Sequence, residues 1–439
     1  MKFPHALALL VTASIAAQQE IWVEPVNGND GNPATYGQPL RTLTAAVGLA
    51  GPGDRIHLLE GTYGPSHNGE TLPIQIGQAN QPGLVIRGIG DVVFDLAGST
   101  STFLYLVGGA SGTRITNITV QNTDQAGWWT RVINSGSGVN SGNAAMNVEI
   151  DRCRFIDCNR GIVLWTNDIV TGWRVHDNLF VNCGNDAILE YTGTNEFFCN
   201  TFHTGAYKAY ISDSLTSLCY DNLIMSYAIA FENNNSAALL NRYQGNWLYQ
   251  CAIVQQGAGM ASALPASNVI GTDPMLVNPA AGDYHLQATS PVIDAGVMPP
   301  FARADLDANS RLVDGDGDGI LEVDVGCYES TPIHLDVTWD PVTGLMYLNG
   351  STTIAGTYGF VAFSFDDGLW TFPGQGPILI DQATYVPFFL QGPLPQQWVL
   401  PFGGAVLPPG FRLVMQILGI GPSHRGSAVF GGNQVWAQL

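Results

Sequence analysis

A six-residue segment recurs five times between residues 150 and 248, and it constrains the fold more than any other feature of the chain. Each copy has an anchor residue, Cys in the first copy and Asn in the others. Apolar, aromatic or Cys residues stand three positions before the anchor and two after it. The copies are Ile150–Phe155, Val175–Phe180, Phe197–Phe202, Cys219–Ile224 and Tyr243–Leu248. Successive anchors are 25, 22, 22 and 24 residues apart. This period is typical of a solenoid, in which each unit buries its apolar face against its neighbours.

Short strands, and no helices, are predicted between the copies. A second apolar strand follows most of them: Ile162–Leu164, Ile188–Leu189, Tyr210–Ile211 and Ile229–Phe231. Turns rich in Asn, Gly and Asp separate these strands, and the fixed spacing of a leucine-rich repeat is missing from the sequence. The pattern therefore predicts an all-β chain that folds as a parallel β-helix. We expect the anchor asparagines to stack in an internal hydrogen-bonded ladder, which is a structural role.

The first 17 residues have the pattern of a signal peptide. A charged start at Lys2 precedes an apolar run, Ala6–Ala17, that is too short to span a bilayer and ends in small residues. We therefore expect cleavage near Ala17 and a secreted protein, extracellular or held at the cell surface. No later run reaches the roughly 18 apolar residues of a membrane helix, so no membrane span is predicted. We expect a soluble monomer.

Composition limits the partners. The chain has 16 basic and 36 acidic residues, a formal net charge of −20, which disfavours nucleic acid and anionic membranes. A polyuronate would also be repelled unless Ca²⁺ bridges the two. Seven cysteines are an odd number for an exported chain. Cys158 and Cys183 each stand five positions after an anchor, so adjacent coils would bring them together either as a disulfide or as buried free thiols.

The segments before and after the repeats carry a family resemblance. The first series consists of Trp22–Val23, Asn27–Asp30, Pro39–Leu43, Pro52–Ile56 and Gly61–Tyr63. Within it, a short amphipathic helix is predicted from Thr42 to just before Gly51, where it would cover the open end of the solenoid. This series resembles the N-terminal segment of secreted right-handed parallel β-helix proteins of the pectate-lyase-like superfamily.

A second series, which we call the closing segment (residues 273–330), resembles the C-terminal end of secreted β-helix repeat proteins, including those with choice-of-anchor domains. Its parts are Asp273–Pro279, Gly282–Leu286, Ser290–Gly296, Asp305–Arg311, Asp314–Gly319 and Asp324–Glu329. The two resemblances define residues 18–330 as one right-handed parallel β-helix domain. We expect the closing segment at the end of the solenoid.

Acidic residues of the closing segment predict a cation site. Asp314, Asp316 and Asp318, with Gly319 at the sixth place, imitate the start of a calcium loop, but the twelfth place holds Val325 instead of a bidentate Glu. EF-hand geometry therefore fails, and a different oxygen cage is expected. The predicted ligands of this structural Ca²⁺ are Asp305, Asp307, Asp314, Asp316, Asp318 and Asp324.

Residues 331–439 differ in pattern, with alternating or apolar strands separated by Gly and Pro turns. This pattern is typical of a small β-sandwich. Two roles for this module remain open: glycan binding through an aromatic face, and adhesion or anchoring.

Aligning the coils on their second strand puts Arg160, Asp186 and Lys208 in one column, and Lys208 is the only lysine after Lys2. The resemblance implies chemistry for this column. β-Helix polysaccharide lyases abstract the C5 proton of a uronate with Lys or Arg while a cation neutralises the neighbouring carboxylate. It would make Lys208 the base and Arg160 the partner of a substrate carboxylate.

Further residues around the column have candidate roles. The acid would be Tyr207 or His203, and Asp186 or Glu190 would hold Ca²⁺. Candidate substrate-binding residues are Asn185, Asp186, Glu190, Asp213, Trp128 and Trp129. The two tryptophans precede a Gly/Ser/Asn-rich stretch, Asn134–Asn143, predicted to form a protruding loop. There they would either stack on sugar rings or pack as a lid.

Three observations weigh against this site. The column is the pattern of exposed ion pairs of little energetic value, and an Asp beside Lys208 opposes a base role. Aligning on the first strand would also replace Arg160 by Gly161. Three functions therefore remain open: a Ca²⁺-dependent polysaccharide lyase, a non-catalytic surface or adhesion protein that binds polysaccharide or cell-surface glycan, and a polygalacturonase-like hydrolase. A lyase would need Arg160, Lys208 and an acid in an open groove.

Overall fold

A computed structural model describes most of the chain. The described residues are 18–125, 130–135, 144–164, 170–191, 193–214, 216–237, 242–260, 262–297, 304–316, 318, 320–331, 333–340, 345–352, 358–364, 367–370, 378–380, 386–401, 412–423 and 426–438. The predicted signal peptide therefore lies outside the described residues.

The chain winds into a parallel β-solenoid with three faces, which confirms the predicted fold. We name the faces sheet A, sheet B and sheet C in the order in which each coil crosses them. Sheet A contains Glu20–Val23, the first parts of Arg55–Tyr63 and Val85–Ser99, Arg114–Thr116, Glu149–Asp151, Arg174–His176, Glu196–Phe198, Leu218–Tyr220 and Tyr243–Gln244.

Sheet B contains the later parts of Arg55–Tyr63 and Val85–Ser99, Thr119–Thr123, Arg154–Ile156, Leu179–Cys183, the first parts of Thr201–Ser212 and Leu223–Asn233, Trp247–Tyr249 and Val269–Ile270. Sheet C contains Ile74–Ile76, Leu104–Leu106, Ile133–Ser135, Ile162–Leu164, Asp186–Glu190, the later parts of Thr201–Ser212 and Leu223–Asn233, and Ile253–Gln256. Asn134 and Ser135, which we expected in a protruding loop, belong to a strand of this sheet.

The anchor asparagines form the predicted ladder inside the corner between sheets A and B. Each side-chain amide donates to the carboxamide oxygen one coil ahead, at 3.0 Å for Asn178 to Asn200 and for Asn200 to Asn222. The ladder continues through Asn246 to Asn268, a member that the sequence pattern did not identify. Each oxygen also accepts a backbone N–H of the preceding coil, at 3.1 Å from Asn178 to Asn200. The ladder thus satisfies buried polar groups that water cannot reach.

Apolar stacks fill much of the remaining interior. Phe155, Phe180 and Phe202 stack face to face on successive coils, with ring centroids 4.7 and 4.8 Å apart. Cys158 and Cys183 are buried beside them as free thiols, and the other five cysteines are free as well. Burial raises the pKa of the Cys183 thiol to about 12, so the sulfurs behave as small apolar groups.

The corner between sheets A and B repeats one backbone conformation. The residue just before each anchor has a positive φ: Asn117, Arg152, Asp177, Cys199, Asp221 and Gly245. Asn, Asp and Gly adopt this left-handed conformation at low cost, whereas it is unusual for Arg and Cys. The conformation lets the next side chain point inward while its own side chain points out of the corner.

The helix predicted near the N-terminus is present as Leu43–Leu49. Thr42 is its N-cap, and its hydroxyl accepts a hydrogen bond from the backbone N–H of Ala45 at 3.0 Å. Leu43 and Val47 are buried in the solenoid core. Short 3-10 helices are also present at Gly108–Ala110, Ala258–Met260 and Pro279–Ala281.

The closing segment lies along the outside of the solenoid, so our expectation that it sits at the end was wrong. It contains one hairpin, Leu276–Asn278 with Asp283–Leu286. Its apolar residues pack on the outer face of sheet B in one cluster, which includes Leu179, Leu223, Trp247, Tyr284, Val292, Val325 and Cys327. The cause is the apolar outer face of sheet B, which must be covered.

The C-terminal region forms antiparallel sheets that fit a β-sandwich. One sheet contains Ile333–Asp340, Leu345–Thr352 and Gln396–Pro401, and a second contains Val386–Pro393, Tyr358–Ser364, Arg412–Ser423 and Gly426–Gln438. A third pairs Asp367–Trp370 with Ile378–Ile380. Within the described parts of the chain, no helix is long and apolar enough to cross a membrane.

Candidate functional site

The predicted column lies where sheet B turns into sheet C. Asp186 pairs directly with Lys208, and the strand after Arg160 pairs in the same register with the strand after Asp186. The alternative with Gly161 does not hold, because Gly161 faces the core: a Cβ atom there would lie 2.9 Å from the Phe180 ring. The three charged residues therefore occupy one level on successive coils.

Ion pairs connect this column to its neighbours. Arg160 Nε lies 3.1 Å from Asp186 Oδ2, and Lys208 Nζ donates to Glu232 Oε1 at 2.8 Å. Arg131 extends the series one coil toward the N-terminus. We call Arg131, Arg160, Asp186, Lys208 and Glu232 the sheet C row. Each of these residues is at most 9% exposed, so the expected ladder of exposed ion pairs is wrong. Buried charges of this kind cost desolvation energy.

Burial and neighbouring charges change the acidity of the row. Burial raises the pKa of Asp186, against the opposing effect of the Arg160 and Lys208 charges. Burial also raises the pKa of Glu232, but hydrogen bonds from Lys208, Gln256 and Asn234 outweigh it and hold that pKa below its usual value. Burial lowers the pKa of Arg131. Such perturbed groups are concentrated at functional sites, although ion-pair networks perturb pKa values as well.

Tyr207 adds an exposed aromatic ring to the row. Its side chain is 42% exposed, and Lys208 Nζ lies 4.5 Å from the ring centroid. An exposed ring beside charged groups suits a sugar, whose apolar face stacks on the ring while its hydroxyls bond the polar groups.

Two predicted participants lie elsewhere. His203 is on sheet B, where its Nδ1 is 2.9 Å from the Tyr284 hydroxyl, and burial lowers its pKa. Glu190 points into the solenoid and accepts hydrogen bonds from Tyr210 and Ser212 at 2.7 and 2.9 Å. Burial raises the pKa of Glu190. The predictions of His203 as acid and Glu190 as Ca²⁺ ligand therefore conflict with their positions.

The remaining predicted residues have mixed positions. Asn185 donates to the side chain of Asn159 at 2.8 Å in a short corner ladder, and Asp213 accepts from the backbone of Asn234 at 3.3 Å. Both contacts are structural. Trp128 and Trp129 lie outside the described residues.

An acidic cluster is present in the closing segment. Ligand atoms of Asp294, Asp314 and Asp316 lie within 4.8 Å of one another. Asp294, which the sequence pattern did not identify, has a buried Oδ1 without a hydrogen-bond partner among the described residues. Burial raises the pKa of Asp294 to about 7, and the charges of Asp316 and Asp314 add to this effect. Three close carboxylates with one unsatisfied oxygen fit a hard divalent cation such as Ca²⁺.

The other predicted ligands are used differently. Asp305 accepts the backbone N–H groups of Asn309 and Glu329 at 2.6 and 2.8 Å, which fixes a turn. Asp307 lies 2.5 Å from His285 Nε2, and Asp318 accepts the N–H of Ile320 at 2.7 Å. Asp324 accepts the backbone N–H of Asp294 at 2.7 Å and so fixes the backbone of this member of the cluster. Of the six predicted ligands, only Asp314 and Asp316 belong to the cluster.

A cleft that the sequence gave no signal for opens at the corner between sheets A and B in the first coils. Its volume is about 890 Å³, and it is lined by polar side chains of the N-terminal segment and of the second coil. These include Glu24, Asn27, Asn32, Tyr36, Gln38 and Glu60. Its residues are scattered through a segment without repeats, so no spacing could reveal it.

Solved structures similar to this chain include carbohydrate-active enzymes. The GH136 lacto-N-biosidase from Eubacterium ramulus has a TM-score of 0.38 and 14% sequence identity over 52% of this chain and 55% of that enzyme. A rhamnogalacturonan lyase has a TM-score of 0.35 and 16% identity over 58% of this chain and 66% of that one. Pectate lyase Pel9A has a TM-score of 0.40 and 15% identity over 72% of this chain and 97% of that one. The chain thus spans about half to two thirds of the first two structures.

No curated protein matches the sequence. Residues 26–273 match DUF1565, described as a protein of unknown function, and this match covers more than half of the chain and nearly all of the solenoid. The chain therefore belongs to the DUF1565 family.

Proposed function

We propose that the protein binds an acidic polysaccharide across the sheet C row. The observation that carries this proposal is the pairing of the exposed Tyr207 ring with Lys208, flanked by Asp186 and Glu232 on the adjacent coils and by Arg160 beyond. Stacking on Tyr207 would hold a sugar ring, and Lys208 and Arg160 would receive uronate carboxylates.

Stability alone gives no reason for charges at this place. The neighbouring outward positions of sheet C hold Val163, Leu189 and Ile211, which pair on successive coils, and the next coil continues this second row with Glu232. Arg131, Arg160, Asp186 and Lys208 therefore lie beside three apolar residues, and Glu232 reaches Lys208 from the neighbouring row. Well-packed apolar residues of similar size are often as stabilising as a buried ion pair, or more so. A row of charges beside an apolar row therefore favours a binding role.

Affinity electrophoresis tests the proposal. The protein is run through gels that contain polygalacturonate, alginate or a neutral galactan, with and without Ca²⁺. We expect the acidic polymers to retard the wild type. Lys208→Met and Tyr207→Ala should weaken retardation about tenfold, the usual effect of one lost charge-assisted bond or stacking contact. Arg174→Gln, which removes an exposed arginine from sheet A, is the matched control. The proposal fails if no acidic polymer retards the protein or if the control behaves like Lys208→Met.

β-Elimination is the second candidate function. Arg160 and Lys208 lie two coils apart on one row, so one could hold the uronate carboxylate while the other takes the C5 proton. The electron pair of the C5–H bond would form the C4–C5 double bond as the C4–O4 bond breaks, and the departing O4 would take a proton from Tyr207 or water. The Lys208–Glu232 ion pair opposes this role, because Nζ already donates to a carboxylate.

Ultraviolet absorbance of the unsaturated uronate product tests the lyase directly. Pectate, alginate and glycosaminoglycans are assayed with and without Ca²⁺, using wild type and Lys208→Ala. A signal lost in the variant supports β-elimination with Lys208 as base, whereas a signal that survives keeps the lyase and rejects Lys208. Reducing ends released without absorbance would indicate the hydrolase, and no release of either kind leaves a binding protein.

We also propose that Asp294, Asp314 and Asp316 hold a structural Ca²⁺. The support is the unsatisfied Asp294 oxygen inside a group of three close carboxylates. This cation would pin the closing segment and would take no part in chemistry at the sheet C row.

A further inference from the structure

A small pocket continues the corner cleft between sheets A and B. Its volume is about 40 Å³, and it is lined by the side chains of Arg87, Thr116, Asn117 and Arg152. Ile89 and Gly90 line both this pocket and the larger cleft, so the two spaces adjoin. None of the residues that line the pocket is acidic, in contrast to the cleft beside it.

Arg152 is the unusual residue of the pocket. Its side chain is only 9% exposed, and its Nε is buried without a hydrogen-bond partner. In the part of the chain that the structure describes, Arg152 makes no hydrogen bond or ion pair. The left-handed backbone, with φ at 55°, is unusual for a non-glycine residue and turns the side chain out of the corner. A buried N–H donor without a partner, such as this Nε, costs free energy unless a ligand satisfies it.

The acidic residues near Arg152 are already engaged. Asp151 accepts two hydrogen bonds from Arg114, at 2.8 and 2.7 Å, and a third from Thr116 at 3.0 Å. Asp307 lies 2.5 Å from His285 Nε2 and 3.3 Å from Arg154. Their charges act on Arg152 only from a distance.

Recognition in the pocket would therefore depend on guanidinium groups. The Thr116 hydroxyl donates to Asp151, and the Asn117 amide donates to the Gly88 carbonyl oxygen at 2.9 Å. Arg87, which is 6% exposed, also lines the pocket. The Arg152 guanidinium suits a planar oxyanion, because it can donate two parallel hydrogen bonds to a carboxylate.

Size selects among oxyanions. The pocket, at about 40 Å³, is far smaller than the adjoining cleft of about 890 Å³, so a small charged group such as a carboxylate suits the pocket and a sugar ring suits the cleft. The adjoining cleft is large enough for one or two rings, and its carboxylates, amides and Tyr36 hydroxyl suit sugar hydroxyl groups. Glu24 and Glu60 in this cleft would repel further acidic units.

We propose that the pocket binds the carboxylate of one acidic sugar, while neutral sugar residues attached to it occupy the cleft. This site is separate from the sheet C row and takes a different ligand: a glycan with an isolated uronate, as opposed to a polyuronate. The two proposals are independent, because they involve no common residue.

Isothermal titration calorimetry at low ionic strength tests the inference. The probes are an aldobiouronic acid (a uronate linked to one neutral sugar), the corresponding neutral disaccharide and sodium sulfate. We expect the aldobiouronic acid to bind wild type and Lys208→Met equally. Arg152→Gln should weaken binding at least tenfold, whereas the control Arg174→Gln should not change it. Arg152→Lys keeps the charge but loses the planar fork, so it should bind with intermediate affinity.

Each other result overturns the proposal. Wild type that fails to bind, equal affinity for the neutral disaccharide, or Arg152→Gln that binds like wild type would each reject the pocket. Sulfate that binds as tightly as the aldobiouronic acid would assign the pocket to a free oxyanion and reject the sugar. Circular dichroism checks that the variants fold, and if Arg152→Gln does not, Arg152→Lys provides the test. Loss of binding in Lys208→Met alone would move the uronate to the sheet C row.

Discussion

The corner between sheets A and B follows one backbone pattern along the solenoid, but its two halves are covered differently. In the late coils (residues 174–270), Asp177 and Asp221 point out of the corner and the closing segment lies over them. In the early coils (residues 55–164), Asn117 and Arg152 occupy the same place and border a pocket. In the late coils, an arginine of the same chain, Arg311, pairs with an outward aspartate. In the early coils, the acidic residues near Arg152 are already bonded to other groups. We infer that the charge of the outward residue decides whether the closing segment covers the corner or a ligand binds there.

The interior of the corner also differs between the early and the late coils. The late coils have the asparagine ladder, whereas the early coils have Ile118 and Cys153 at the equivalent positions. The ladder ends at Cys153, whose backbone N–H donates to Asn178 at 2.9 Å. The late half is therefore held from inside by a polar network and from outside by the closing segment.

Replacing Arg311 should cause the largest loss in the free energy of unfolding, because this residue holds the closing segment on the late coils. Arg311 is fully buried, and its guanidinium donates to Asp177 at 2.7 Å, to Glu329 at 2.8 Å and to the carbonyl oxygen of Gly326. Arg311→Met leaves two buried carboxylates without their partner, so we expect a loss of about 3–5 kcal/mol in the free energy of unfolding. Urea denaturation measures it. Arg174→Met, which breaks an exposed pair with Glu196, should cost less than about 1 kcal/mol. Equal losses would show that Arg311 does not hold the closing segment.

Interrupting the ladder should have the next largest effect. Asn200 donates to the carbonyl oxygens of Val175 and Phe198 and to Asn222, and its oxygen accepts from Asn178. Asn200→Leu leaves these buried groups unsatisfied, so we expect a loss of about 3 kcal/mol.

The matched control for the ladder is Asn182→Gly. Asn182 is exposed at the next corner, and among the described residues its side chain bonds only to the Asp157 side chain. Glycine tolerates its positive φ. The control should change the urea midpoint little. A small loss in Asn200→Leu as well would mean that packing, and not the hydrogen-bonded ladder, sets the stability of the late coils.

How far the sequence predicts this molecule depends on whether a feature repeats. The ladder, the strand register and the Arg160–Asp186–Lys208 column were predictable, because every coil imposes the same spacing on its neighbours. Asn268 was also within reach, since it stands 22 residues after Asn246.

Features that depend on a single long-range contact were not predictable. Arg311 meets Asp177 across 134 residues of chain, and no spacing in the closing segment indicates that it turns back over sheet B. The same holds for Asp294 in the acidic cluster and for Arg152 in the pocket. His203 and Glu190 were misplaced for a different reason: alternation along a strand places neighbouring residues on opposite faces, and the corners interrupt that alternation.

Calcium binding should stabilise the closing segment and, through it, the late coils. If Asp294, Asp314 and Asp316 hold Ca²⁺, a hundredfold excess over Kd adds about 2.7 kcal/mol and raises Tm by a few degrees. Differential scanning calorimetry at neutral pH, with Ca²⁺ and with a chelator, measures the shift. Asp294→Asn should abolish it, and Asp318→Asn, outside the cluster, should retain it. An unchanged Tm in wild type, or a shift that survives Asp294→Asn, would remove the cation from this cluster.

Raising the pH should lower the stability of the late coils, and this is the smallest of the expected losses. His176 is fully buried, and its Nδ1 is 2.6 Å from Asp177, the same residue that binds Arg311. Burial alone would lower the pKa of His176, but the hydrogen bond with Asp177 and the Glu149 carboxylate 3.6 Å from Nε2 raise it to about 9. Its folded pKa exceeds the unfolded value of about 6.5, so this contribution is complete below pH 6.5 and is lost as the pH rises through 9.

The size of that loss should stay below the roughly 3 kcal/mol of an isolated group with this shift, because Arg311 continues to neutralise Asp177 after His176 loses its charge. Urea midpoints of wild type and His176→Gln, measured from pH 6 to pH 10, isolate the effect from other titrating groups. We expect the two curves to differ most at pH 6 and to converge above pH 9. A constant difference would mean that the ring contributes only by packing against Phe198, on which it stacks at 4.6 Å. Asp177 would then close the late corner through Arg311 alone, without help from its neighbour on sheet A.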